Sequence, residues 1–145
     1  MPDRFEPGTM NLPGILGLHA GLCWLEEKGI HNIREHELRL TARLLSGLEK
    51  LEGDGLIKIV GRRDLKNRTG VVSVQTLEKE LSQAAYELDA DHGIQTRVGL
   101  HCAPSAHMTL ETYPTGTIRF SVGAFNTEAD IDAALQALEE ICQGI

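Results

Sequence analysis

Cys102 stands in the stretch Arg97-Val98-Gly99-Leu100-His101-Cys102-Ala103-Pro104, where a strand-like run gives way to a proline-led loop. A loop cysteine near a guanidinium and an imidazole could be held as a thiolate, the form in which cysteine acts as a nucleophile. The same thiol would also serve as a small buried hydrophobe at a strand end. Cys102 and His107 make at most one zinc-ligand pair. No second pair at zinc-like spacing lies on either side, so we expect no metal site. A cysteine protease is unsupported too, because no orienting Asn or Asp has a recognisable context.

Arg119 lies in Thr117-Ile118-Arg119-Phe120-Ser121-Val122. Strand alternation places Thr117, Arg119 and Ser121 on one face and Ile118, Phe120 and Val122 on the other. A guanidinium fixed on a strand suits a bidentate grip on a carboxylate, although arginine on a solvated sheet face is commoner. A third place is Gly8-Thr9-Met10-Asn11, just ahead of a helical pattern. A hydroxyl and free N–H groups at a helix N-terminus suit a phosphate, and equally suit plain capping.

These residues need elements to hold them. Asn11 reads as an N-cap with Pro13 in the first turn, and Ile15, Leu18, Leu22 and Leu25 recur at helical spacing until Gly29. Gly14, Gly17 and Gly21 share one face of that helix, which predicts close approach of another backbone. Asn32 and Glu35 resemble a capping box for a second helix carrying Ile33, Leu40, Leu44, Leu48 and Leu51 to Gly53. Leu56 to Val60 and Val71 to Gln75 read as strands. Leu77, Leu81, Ala84, Ala85 and Leu88 predict a third helix closed by Gly93. Ile94 to Leu100 and Thr117 to Val122 are strand candidates separated by a loop. Thr127 with Asp130 caps a last helix that turns Ile131, Leu135, Leu138 and Ile141 inward. The order predicts an α+β fold: a small, mostly antiparallel sheet covered by helices on one face.

The chain has 145 residues, 41% of them hydrophobic and 24% charged, which suits one globular domain. A formal charge of -7 argues against a nucleic-acid or anionic-membrane partner. The basic cluster Arg62, Arg63, Lys66 and Arg68 reads as a solvated turn. The apolar run Leu12 to Leu25 is too short to span a bilayer, and Asp3 and Glu6 stand where a signal peptide would be basic. Three dispersed cysteines, Cys23, Cys102 and Cys142, point to a reducing cytoplasm.

Taken in order, FEPGTMNLPGILGL, EEKGIHNIREHE, RVGLHCAP and TGTIRFSVGAFNTEADIDAALQAL resemble successive segments of the cysteine desulfurase and selenocysteine lyase branch of the class V aminotransferases. The resemblance covers nearly the whole chain but only the C-terminal two-fifths or so of a family member. It therefore implies a chain that starts mid-protein: residues 1–29 an entry segment and inter-domain helix, 30–145 the small C-terminal domain. The family has fold type I, uses pyridoxal 5'-phosphate (PLP) and is homodimeric.

Carried over by position, Cys102 would accept sulfur from the substrate, L-cysteine, and Arg119 would bind the substrate carboxylate. Arg97 and His101 would line the same site. Gly8, Thr9 and Asn11 would reach the PLP phosphate of the partner subunit. The family places the PLP lysine upstream of this stretch, so the resemblance implies a chain inactive by itself and prone to self-association. A freestanding regulatory module, or a PLP-independent sulfur carrier using Cys102, is the alternative expectation.

Overall fold

The structure, a computed structural model, describes residues 8–144. The irregular entry expected over residues 1–10 therefore lies outside the described residues except for its last three positions. The chain divides into two compact units, residues 1–35 and 36–145.

The first unit holds α1, Leu12–Lys28. Asn11 caps it as its sequence predicts: the side-chain oxygen accepts from the Gly14 N–H at 3.1 Å, and a proline stands in the first turn. Gly29 ends it at φ 79°, a conformation that favours glycine. No residue of α1 is buried, and within this unit nothing lies within 4 Å of a Cβ placed at Gly17 or Gly21.

α2, Ile30–Gly53, follows after that single glycine. The capping box expected from Asn32 and Glu35 is not formed. Ile33 N–H already donates to the Gly29 carbonyl at 3.1 Å, so Asn32 lies inside the helix. Its amide donates back to the Lys28 carbonyl at 2.9 Å, and Glu35 pairs with His31, one turn earlier, at 3.2 Å.

In the second unit four strands form one antiparallel sheet. They are β1 (Ile57–Val60), β2 (Val71–Thr76), β3 (Arg97–Gly99) and β4 (Thr117–Ser121), in the spatial order β1-β2-β4-β3. Period-two alternation sends Ile57, Ile59, Val72, Val74, Ile118 and Phe120 to one face. There they meet Leu40, Leu44 and Leu48 of α2, Leu81, Ala84 and Leu88 of α3 (Leu81–Ala90), and Ile131, Leu138 and Ile141 of α5 (Glu128–Gln143). Burial of each large aliphatic side chain contributes about 1.5–3 kcal/mol, which fixes the sheet's orientation and leaves its other face for Ser73, Arg97, Thr117 and Arg119.

α2 and α5 approach closely at Gly47, where an added Cβ would lie 2.2 Å from Leu135 Cδ1. Arg43 of α2 reinforces this contact with two hydrogen bonds to Asp132, at 2.6 and 2.7 Å, and one to Glu128. The Thr127–Asp130 capping box opens α5 as expected. The basic cluster at residues 62–68 is a turn in which Arg62 grips Asp64 and Arg63 reaches Glu52.

Three elements differ from expectation. α3 begins at Leu81, because Glu80 caps it by accepting from Gln83 N–H at 2.7 Å; Leu77 lies ahead of it and is exposed. β3 begins at Arg97, because Ile94 N–H is drawn to the Leu88 carbonyl of α3 at 2.7 Å and away from the ladder. The loop after Cys102 contains a short helix, α4 (Pro104–Thr109), too brief to leave a periodic signal.

Candidate functional site

The sheet face turned away from α2, α3 and α5 gathers the residues that could do chemistry. Arg97 of β3 and Arg119 of β4 are direct cross-strand partners, and Ser73 of β2 flanks Arg119 on its other side. Directly opposite residues of an antiparallel pair have Cβ atoms about 4.5–5.5 Å apart, so the two guanidinium groups share one patch. Arg119 is half-buried, and its Nε is enclosed with no partner among the described residues. A charged donor held this way suits an anion that supplies the missing acceptor.

Beyond β3 the chain makes a tight turn, with Ala103 N–H donating to the Leu100 carbonyl at 2.8 Å. His101 and Cys102 adopt φ 51° and 61° in it. Left-handed backbone costs a side-chain-bearing residue about 1–2 kcal/mol, and two in succession form only where neighbours enforce them. The result is an exposed thiol whose Sγ receives a hydrogen bond from Arg97 Nη2 at 3.5 Å. Cys102 and Arg119 thus have Arg97 as a common neighbour, one bonded to it and the other in register with it.

His101 turns its ring back to β4, where Nε2 and the Thr117 hydroxyl are hydrogen bonded at 3.0 Å. Its Nδ1 is buried without a partner among the described residues. Burial holds this imidazole below the ordinary histidine range, and the charges of Arg119, His107 and Arg97 push in the same direction. Thr117 is placed by a close backbone approach: Gly116, at φ 84°, would put a Cβ 2.2 Å from the Gly99 carbonyl oxygen, so only glycine fits.

Of the residues singled out from the sequence, the structure brings Cys102, Arg97, His101 and Arg119 together. Gly8, Thr9 and Asn11 belong to the first unit, exposed at the N-terminal end of α1. The Asn11 oxygen is engaged in capping. Among the described residues no group of three His, Cys, Asp or Glu could hold a metal ion, and no helix is long and apolar enough to cross a membrane. Sequence reasoning missed the supports of the turn. Thr117 carried a signal, since it alternates with Arg119. His107 and Thr112 lie in the stretch read as a loop.

The family model for "Aminotransferase class-V" matches residues 1–134. A protein from Pyrococcus abyssi (strain GE5 / Orsay) named "Probable cysteine desulfurase" is 35% identical over 144 residues, which are 99% of this chain and 34% of that protein. One named "Cysteine desulfurase" from Escherichia coli O8 (strain IAI1) is 34% identical over 142 residues, covering 97% and 32%. Among solved structures, apo cysteine desulfurase from Thermococcus onnurineus NA1 superposes with a TM-score of 0.87 at 35% identity, over 99% of this chain and 34% of that one. The S-sulfonic acid form of an Escherichia coli cysteine desulfurase gives 0.82 at 26% identity, over 99% and 34%. The chain thus spans about a third of the length of the relatives it matches.

Proposed function

This chain belongs to the class-V aminotransferases, and from that premise we propose that it supplies the sulfur-accepting and carboxylate-binding residues of a PLP-dependent cysteine desulfurase. The observation that carries the reading is that Arg97 is shared: its guanidinium is hydrogen bonded to Cys102 Sγ, and its cross-strand partner is Arg119.

Arg119 binds the α-carboxylate of L-cysteine through its guanidinium. Arg97 sets a positive charge and a hydrogen-bond donor beside Cys102 Sγ, the atom that attacks. The Cys102 thiolate forms a bond to the substrate sulfur while the substrate C–S bond breaks. Sulfur stays on the protein as a persulfide, and the amino acid leaves as L-alanine once a proton has been added at carbon. His101, hydrogen bonded to Thr117, lines the same site.

The residues ahead of α1 fit a phosphate in their chemistry. The Thr9 hydroxyl stands at the N-terminal, partially positive end of a 17-residue helix, with exposed Gly8 beside it and the Asn11 amide next in line. We assign Gly8, Thr9 and Asn11 to the PLP phosphate, held across the subunit boundary of a homodimer. When bound, PLP supplies the electron sink that makes the C–S bond breakable.

The test joins this chain to the remaining two-thirds of the Pyrococcus abyssi relative and supplies PLP and L-cysteine. We expect alanine together with a persulfide on Cys102. Cys102→Ala should abolish the persulfide, and Arg119→Gln should raise KM for cysteine at least tenfold. Sulfur transfer that persists in Cys102→Ala would overturn the reading.

A further inference from the structure

Behind the Cys102 turn lies a polar cluster that the proposed reaction does not use. His107 of α4 is 5% exposed and Thr112, just beyond the helix, 2%. The two are joined three times: His107 Nδ1 and the Thr112 hydroxyl are hydrogen bonded at 2.7 Å, Thr112 N–H donates to the His107 carbonyl at 2.9 Å, and the Thr112 hydroxyl donates to the same carbonyl at 3.5 Å. The His107 ring stands against the His101 ring, with centroids 5.6 Å apart and planes tilted by 45°. His101 in turn is anchored to Thr117 of β4. Cys102, the second of the two left-handed residues, is the point at which this chain of contacts meets Arg97.

A strained dipeptide relaxes when its supports are removed. The turn's own hydrogen bond, Ala103 to Leu100, closes the backbone but does not direct the thiol. Two side chains do that. Thr117 pulls the His101 ring toward the sheet, and His107, locked by Thr112, blocks its retreat toward α4. The groups facing the His101 ring are Arg119 from β4, Arg97 from β3, His107 from α4 and the Thr117 hydroxyl. None is a carboxylate, so no ion pair substitutes for this mechanical hold.

We propose that His107, clamped by Thr112, is a positioning residue that holds the Cys102 sulfur against Arg97 by backing the ring of His101. The inference rests on the reading of Cys102 as the sulfur acceptor, and gives that site a support outside the reacting groups. His107 acts through shape and one hydrogen bond and touches no substrate.

A double-mutant cycle on the intact chain tests it without cofactor. The readout is the rate of Cys102 alkylation by iodoacetamide, resolved by peptide mass spectrometry from the rates at Cys23 and Cys142. In the parent chain Arg97→Ala is expected to change the Cys102 rate at least threefold and to leave Cys23 unchanged. In a Thr112→Val background, which keeps the side-chain shape and removes the hydroxyl, the Arg97→Ala effect should fall below about 1.5-fold. Thr112→Ser should restore it. His107→Phe, which keeps a ring behind His101, should retain more of the coupling than His107→Asn, which keeps only a donor toward Thr112.

Equal Arg97→Ala effects in the parent and Thr112→Val chains would overturn the proposal, as would the absence of any Arg97→Ala effect in the parent. Thr112→Val was chosen because it conserves volume, and a far-UV circular dichroism melt checks that each variant folds. The persulfide test of the preceding section is separate. A failed persulfide with an intact cycle removes sulfur acceptance and leaves the positioning role of His107 standing.

Discussion

Arg97 and Arg119 face each other directly across the β3–β4 ladder, two cations in register on one side of a sheet. Like charges directly opposite are destabilising by about 0.2–1 kcal/mol, so the pairing costs the fold a little and prepares the patch for an anion. Replacing the more exposed partner, Arg97→Gln, should raise the melting midpoint by about 1–3 °C at low ionic strength. High salt should shrink the gain, since exposed charges are screened. Thermal unfolding at two salt concentrations measures both, and a lower midpoint at low salt would refute the argument.

His101 provides the pH dependence. Its imidazole is held below the ordinary histidine range in the folded chain, mainly by burial. As pH falls through about 6.5 the unfolded chain takes up this proton first, and folding loses support progressively below that point. Above it the contribution of neutral His101 is complete. The His101 ring-proton resonance should therefore titrate below 6.5, and Arg119→Gln should move it upward by removing the second-largest cause. An unmoved titration in that variant would exclude Arg119 as a neighbour of the ring.

Gly47 tests the packing of α2 on α5. An alanine in mid-helix ordinarily gains about 0.5–1 kcal/mol over glycine. Here the new Cβ would fall 2.2 Å from a Leu135 methyl, and forced repacking of this kind costs about 1–3 kcal/mol. Gly47→Ala should thus destabilise the chain in urea unfolding. In a Leu135→Ala background the same change should become stabilising, because the obstructing methyls are gone.

The main architecture was legible because its signals are periodic. The Asn11 cap, the Thr127–Asp130 box and the alternation from Thr117 to Ser121 are local patterns, and each appears in the fold where the residues place it. Cys102 and Arg119 were legible too, and the family resemblance set them in one site; the register that pairs Arg119 with Arg97 was not, since single-strand patterns do not contain it. The failures share a cause. Asn32 lost its capping role to Gly29, Leu77 fell outside α3 because Glu80 supplied the cap, and the strand beginning at Ile94 was shortened by a bond to Leu88. In each case a competing hydrogen bond outranked the local pattern. α4 and the His107–Thr112 pair were invisible for a different reason, because six residues make too few turns to show a period.

The alternation of the sheet has a practical consequence for anyone wishing to alter this chain. Ser73, Arg97, Arg119 and Ser121 occupy strand positions whose neighbours on either side, among them Val72, Val74, Ile118 and Phe120, carry the folding energy. A combinatorial library confined to those four codons would sample new ligand preferences while leaving the hydrophobic interior untouched. Most of its members should remain folded, so that gains and losses in binding could be compared without sorting out collapsed variants.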